Sequence, residues 1–288
     1  MTVKERLKDA QRNGYALLAT NFYNYETLVG IVIAAAEQKS PVILQLTKSS
    51  IDYMGLHVAV NMARTALRSY QVEGYLHLDH ADSIALVQQC LDAGFDSVMI
   101  DASEQPMTQN IALTSAVVRL AETYRASVEA ELGYVPKLGQ SRETLALTEP
   151  NEAAFFAKQT GIDSLAVAIG NSHGFYIQKP QINLDRLAQI RAATPVPLVL
   201  HGSSGIATKT LQETVKRGIC KVNLATEIKN TFMKCLQDDL VDNTNIDLRT
   251  AFPPAIQAVS ALVSDKLKTV GHRTLAYHLK HAKKDYVG

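Results

Sequence analysis

Cysteine is scarce in this chain. The 288 residues contain only Cys90, Cys220 and Cys235, an odd number without Cys-x-x-Cys spacing and all in apolar or helical contexts. A disulfide framework is excluded, and a reduced, cytoplasmic protein is the simplest expectation. Charge of one sign is missing too. Lys and Arg number 29 against 28 Asp and Glu, with no long single-sign run, so no general nucleic-acid surface is indicated and any anionic ligand must be recognised locally. No stretch approaches ~18 uninterrupted apolar residues, and Met1 to Asp9 is charged and amphipathic. Neither a membrane span nor a signal peptide is therefore expected. No Pro/Gly/Ser-rich linker divides the sequence, so residues 1–288 read as one domain.

A local pattern recurs instead. Gly94-Phe95-Asp96-Ser97-Val98-Met99-Ile100, Gly161-Ile162-Asp163-Ser164-Leu165-Ala166-Val167 and Gly218-Ile219-Cys220-Lys221-Val222-Asn223-Leu224 each place a glycine before an apolar run. The glycine suits the left-handed cap that ends a helix, and the run suits a strand buried on both faces. Helical spacing precedes two of these joints, through Ile84, Val87 and Leu91 and through Leu211 and Val215. Further apolar runs read as strands near 16–20, 42–46, 74–79, 127–131 and 197–201. Strands alternating with helices in this way predict an α/β fold, a (β/α)8 TIM barrel with extra C-terminal helices, ahead of a doubly wound open sheet.

Three histidines stand where predicted strands give out: His80 in Leu-His-Leu-Asp-His, His173 in Ala-Ile-Gly-Asn-Ser-His-Gly, and His201 in Leu-Val-Leu-His-Gly. Three imidazoles converging on one rim make a zinc site with an open coordination position, the arrangement of catalytic rather than structural zinc. Asp79 precedes His80, either as a reacting group or as the carboxylate that orients the imidazole. Asp101 and Glu131 also end strands, as secondary metal ligands, proton carriers, partners of the ligands or loop caps. After His201 comes Gly202-Ser203-Ser204-Gly205, with Thr208 read as a helix cap; after the eighth strand comes Asn223-Leu224-Ala225-Thr226. Small residues and helix starts offer N–H groups to an anion, and phosphate binding between these two loops is a recurring use of the barrel.

These motifs resemble the class II, zinc-dependent ketose-bisphosphate aldolases of the fructose- and tagatose-bisphosphate type. The likeness extends over Asn21 to Glu26, Leu76 to His80, Ser97 to Ser103, Val128 to Gly133, Asp163 to Gly174, Pro197 to Gly205 and Lys221 to Thr226. It implies His80, His173 and His201 as ligands of one Zn2+ per subunit, with Asp101 and Glu131 near the metal. Asp79 is implied as the acid/base at the hydroxyl beside the broken bond. Asn24, Thr47, Gly174, Gly202, Ser203, Ser204, Asn223, Leu224, Ala225 and Thr226 are implied in holding substrate and phosphate, with a monovalent cation near the phosphate loops. The family's mobile loop with Gly-Gly and clustered acids is replaced by Tyr134-Val135-Pro136-Lys137-Leu138-Gly139-Gln140-Ser141-Arg142-Glu143, where Glu143 is the nearest acid able to exchange the proton at the nucleophilic carbon. Thr47-Lys48-Ser49-Ser50 and Ala81 also depart from the usual residues.

The expectation is a zinc-dependent aldolase that cleaves a phosphorylated ketose to dihydroxyacetone phosphate and an aldehyde. A metal-dependent hydrolase on the same barrel and a noncatalytic aldolase-like subunit are the competing readings. The second should have lost a histidine or Asp79, and all four are present. Residues 269–288 carry His272, Arg273, Lys280, Lys283 and Lys284. They read as packing or oligomer contacts of a homodimer or homotetramer. In the resembling family such an arm can also approach the distal phosphate, which makes Arg273 its candidate contact.

Overall fold

The computed structural model describes residues 1–136, 147–176, 180–241, 244 and 246–271. The elements run α1 (Val3–Asn13), β1 (Leu17–Asn21), α2 (Tyr25–Glu37), β2 (Val42–Thr47), α3 (Lys48–Met54), α4 (Leu56–Ser69), β3 (Gly74–Ala81), α5 (Ile84–Asp92), β4 (Ser97–Ile100), α6 (Met107–Glu122) and β5 (Ser127–Leu132). They continue as α7 (Pro150–Thr160), β6 (Ser164–Val167), α8 (Leu184–Ala193), β7 (Leu198–Leu200), α9 (Thr208–Lys216), β8 (Ile219–Leu224), α10 (Thr226–Leu240), α11 (Leu248–Ala251) and α12 (Pro253–Val270). The strands pair in parallel and in chain order, and β1 closes the ring by pairing β2 through Leu18–Val42 and β8 through Leu18–Val222. Every expected strand is present, so the fold is a (β/α)8 barrel and not an open sheet.

Local chemistry explains the joints. α7 ends at Gly161 with φ 72°, whose N–H bonds Ala157 O, and Gly94 and Gly218 likewise take positive φ before β4 and β8. A side chain would oppose that left-handed turn. The strands that follow are buried on both faces, one against the helices and one inside the barrel. α1 is fixed at its start by a reciprocal bond pair between Thr2 and Glu5. Its buried face, Val3, Leu7 and Ala10, joins Leu17, Ile43, Tyr75 and Cys220 in a small apolar cluster at the N-terminal end of the barrel. That end is sealed, which leaves the interior polar residues to face the other mouth.

The outer ring is completed late in the chain. α12 packs against α2, α9, α10 and β1, so this extra C-terminal helix covers the seam where the barrel closes, while α10 lies against it. The approach to α2 is close: a Cβ on Gly30 would lie 2.9 Å from both Ile256 O and Val259 Cγ1. Among the described residues no helix is long and apolar enough to cross a membrane.

Candidate metal centre and active site

In a regular strand Asp79 and His80 point to opposite faces, because the side-chain period is two. The structure overrides this. His80 takes φ 52°, and the register of β3 against β4 breaks between Leu78 and Ala81. A positive φ is uncommon for a non-glycine residue and costs on the order of 1–3 kcal/mol. This kink brings the ring of His80 to the mouth beside Asp79. The turn lies within the last residues of β3 and not beyond its end. His201 follows β7 directly, and His173 sits six residues past the end of β6.

The three rings meet. Their centroids are 4.8 Å (His80–His201), 5.0 Å (His80–His173) and 5.8 Å (His173–His201) apart. One potential donor atom each from His80, Glu131, His173 and His201 lies within 4.8 Å of the others. His80 Nε2 and His201 Nδ1 face each other at 3.0 Å. Their outer nitrogens are both bound to carboxylates, His80 Nδ1 to Asp101 Oδ2 at 2.8 Å and His201 Nε2 to Glu129 Oε1 at 2.9 Å. A carboxylate accepts an N–H there, so in the neutral imidazole the remaining lone pair is on the inward nitrogen.

Glu131 Oε2 is buried without a hydrogen-bond partner, 3.4 Å from His201 Nδ1. Burial pushes its carboxyl up to about 7. An orphaned carboxylate oxygen beside converging imidazole nitrogens is a donor set that fits a divalent cation. Mixed nitrogen and oxygen ligands suit zinc, whose ligand atoms in a tetrahedral site lie about 3.3 Å apart for bonds of about 2.0–2.1 Å. Burial and the neighbouring His80 and His201 hold His173 down to about 3, so its ring is neutral and able to ligate.

Both oxygens of Asp79 are held, Oδ2 by Asn21 Nδ2 at 3.1 Å and Oδ1 by Asn223 Nδ2 at 3.4 Å. Gln45 Nε2 in turn donates to Asn21 Oδ1 at 3.1 Å. Burial pushes the Asp79 carboxyl up, but His80, His201 and Lys221 outweigh it and hold it below its ordinary value. It is an oriented, ionised carboxylate beside the histidine cluster. Beneath it, Lys221 Nζ pairs with Glu129 Oε2 at 2.8 Å and lies 3.3 Å from His77 Nε2, and His77 Nδ1 bonds Ser97 Oγ at 2.7 Å. Against the pull of burial, Lys221 and His201 keep Glu129 well below the usual carboxylate range.

Sequence reading missed the roles of Glu129, Lys221, His77, Asn21 and Gln45. A signal existed: His77 and Asp79, Glu129 and Glu131, and Lys221 and Asn223 are polar pairs two apart within otherwise apolar strands, the spacing that puts both members on one face.

The two proposed phosphate loops are stitched together. Ser203 Oγ donates to Asn223 O at 2.6 Å, Ser204 Oγ accepts from Glu227 N at 3.2 Å, and Gly205 N donates to Glu227 Oε1 at 2.5 Å. Lys266 balances Glu227 at 2.7 Å. α9 begins after Ala207 and α10 after Ala225, neither with a side-chain cap, so Thr208 is the first residue of its helix and not its cap. Two helix starts without caps beside a glycine loop suit an anion. Gly174 and Gly202 both take positive φ, 91° and 63°. Leu224 is fully buried at the end of β8, with Ala225 and Thr226 leading into α10. Asn24 Oδ1 accepts from Thr27 N at 2.9 Å, and Thr47 accepts from Ser50 N at 3.4 Å; each caps the helix after its strand, at the same end of the barrel. Asp101 also accepts from Ser103 Oγ at 2.7 Å. Glu143 and Arg273 lie outside the described residues.

A closed βα barrel that gathers three histidines and a glutamate at its C-terminal mouth is a fold with a donor set able to hold a metal ion. The chain belongs to the class II fructose-bisphosphate aldolase family, whose model matches residues 1–274. It is 32% identical to the YdjI aldolase from Escherichia coli K12, with a TM-score of 0.85, over 95% of this chain and 98% of that one. A putative fructose-1,6-biphosphate aldolase from Coccidioides immitis is 27% identical, with a TM-score of 0.86, over 96% and 98%. Fructose-bisphosphate aldolase from Campylobacter jejuni shares the fold at 18% identity and a TM-score of 0.79, over 93% and 94%. The protein is an aldolase, a carbon–carbon lyase.

Proposed function

We propose that this aldolase is zinc-dependent and reversibly cleaves a phosphorylated ketose of the fructose- or tagatose-1,6-bisphosphate type to dihydroxyacetone phosphate and an aldehyde such as glyceraldehyde 3-phosphate. The observation that carries the reading is the 3.0 Å approach of His80 Nε2 to His201 Nδ1, with both rings braced from behind by carboxylates. His80, His173 and His201 hold the metal in this reading, and Asp101 and Glu131 border it. When bound, zinc supplies Lewis-acid polarisation of the ketone, which stabilises the charge left on carbon as the neighbouring bond breaks.

Asp79 takes the proton from the hydroxyl on the carbon that becomes the aldehyde, and in condensation returns it. Asn21 and Asn223 fix its oxygens for that transfer. Gly174, the Gly202–Gly205 loop and Asn223–Thr226 hold the phosphate of the dihydroxyacetone half, with a monovalent cation beside them. Asn24 and Thr47 line the substrate side of the mouth. Glu143 exchanges the proton at the nucleophilic carbon, and Arg273 meets the distal phosphate. The chain works in the cytoplasm as one domain per subunit of a homodimer or homotetramer. The Coccidioides immitis relative, described as a putative fructose-1,6-biphosphate aldolase, supports a bisphosphate ketose.

The test is to offer zinc-loaded protein fructose- and tagatose-1,6-bisphosphate, their 1-phosphates and the free sugars. Cleavage of a phosphorylated ketose with release of dihydroxyacetone phosphate is expected. Cleavage of free ketoses alone would overturn the phosphate assignment, and activity unaffected by chelation would overturn the metal.

A further inference from the structure

Two of the histidine-bearing loops are joined along a seam. Ser172, immediately before His173, donates its backbone N–H to Tyr176 Oη at 3.0 Å, and Tyr176 Oη donates to Gly202 O at 2.8 Å. Alongside, buried Asn171 donates Nδ2–H to His201 O at 3.1 Å while its Oδ1 accepts from Ile169 N at 2.8 Å. Consecutive carbonyls, His201 and Gly202, thus each take one bond from the loop that carries His173. The first belongs to a residue of the histidine cluster and the second opens the Gly202–Gly205 turn.

Contact along the seam is close. A Cβ on Gly202 would fall 2.1 Å from Ser172 O, so only glycine lets the two backbones meet. The phenol of Tyr176 is half-buried, and burial raises its pKa, so the hydroxyl keeps the proton it donates. One oxygen therefore accepts from the His173 loop and donates to the Gly202 loop. Both bonds survive only if Ser172 N and Gly202 O keep their spacing.

We propose that Tyr176 is a positioning residue that couples metal binding at the histidine cluster to anion binding at the Gly202–Gly205 loop, so that each ligand pre-orders the loop the other needs. The proposal rests on the assignment of zinc and phosphate made above. Pulling His173 toward a metal moves Ser172, and the shared hydroxyl carries that displacement to Gly202. By linkage, an anion that settles the Gly202 loop strengthens metal binding by the same factor. A net hydrogen bond is worth a factor of about two to ten in an equilibrium constant, which sets the size of the effect.

The test measures the dissociation constant of inorganic phosphate by calorimetry on the full chain, zinc-loaded and chelator-stripped, for wild type and Tyr176→Phe. Zinc attracts phosphate directly in both proteins, and that part of the coupling survives the substitution. The part carried by Tyr176 does not, so the ratio of the two constants should fall about two- to tenfold in Tyr176→Phe. An unchanged ratio overturns the proposal. A wild type that binds no phosphate, or zinc retained in full by His173→Ala, overturns instead the site assignment beneath it. A measurement on wild type alone guards against a variant that does not fold. Phosphate added to metal-free protein should slow amide exchange in the peptide containing Ser172, and unaltered exchange there would also overturn the coupling.

Discussion

His80 and His201, 121 residues apart in the chain, present Nε2 and Nδ1 to each other at 3.0 Å. They do so by opposite means. His80 uses its far nitrogen and is braced at the mouth by Asp101, whereas His201 uses its near nitrogen and is braced in the barrel interior by Glu129, itself paired with Lys221. The same geometry is reached from a kinked strand on one side and a buried ion pair on the other.

Chelation should abolish cleavage and zinc should restore it. His173→Ala should lower zinc content after dialysis, measured by metal analysis, and reduce cleavage in proportion. Borohydride added with substrate should leave no covalent adduct by mass spectrometry, since the proposed zinc mechanism forms no lysine imine.

Asp79→Asn should retain zinc yet lose cleavage by about 10²–10⁴-fold, the usual cost of removing a general acid/base. Proton exchange on dihydroxyacetone phosphate should suffer less, because that step involves no aldehyde half. Loss of metal with unchanged cleavage per bound zinc would make Asp79 a support of His80 instead.

Zinc uptake should release protons. Burial lowers the pKa of His80, but Asp79 and Asp101 outweigh it and push the value up to about 9, so His80 must lose a proton to become a ligand. Glu131, near 7, adds part of another. Calorimetry in buffers of different ionisation enthalpy should report about one to two protons per zinc at neutral pH, with affinity rising toward alkaline pH. In metal-free protein the raised His80 value contributes stability that is fully present below its unfolded pKa of about 6.5 and lost as pH rises through about 9. Thermal unfolding of stripped protein should therefore show a loss of up to about 3 kcal/mol across that window. Zinc-loaded protein should not share it.

Lys221→Met leaves Glu129 charged without its cation in the barrel interior, where both residues are buried and only the His201 and Ser164 hydrogen bonds remain. Such a lesion costs about 3–5 kcal/mol. Denaturant unfolding should register it, and Glu129→Gln combined with Lys221→Met should recover much of the loss by removing both charges. The double variant should still bind zinc more weakly than wild type, because a neutral amide is a poorer acceptor for His201 Nε2–H than a carboxylate.

Much of the fold was legible because its signals are local. Glycine before an apolar run marks a helix-to-strand joint wherever it occurs, and three such joints with five further runs placed all eight strands. The histidines stood out by their position at strand ends, and Gly202–Gly205 by small residues directly after one of them. Glu129, Lys221 and His77 were harder to see, since a charged residue in an apolar strand reads as an exception until the partner that neutralises it is known. The cap chemistry of Asn24 and Thr47 was likewise hidden beneath their family likeness.

The amino-acid sequence by itself determined that strands and helices alternate, that the strands are buried on both faces, and that two histidines and an aspartate lie at strand ends with a third histidine in the loop after a strand. These follow from side-chain periodicity and backbone preference, which act within a few residues. Tertiary structure alone decided which nitrogen of each histidine faces inward, that Asp101 braces one ring and Glu129 another, that α12 covers the closing seam, and that Tyr176 ties two loops together. Each of those pairings depends on strand register and barrel closure. Residues as distant as Glu129 and His201, 72 positions apart, become neighbours only when the whole sheet has closed.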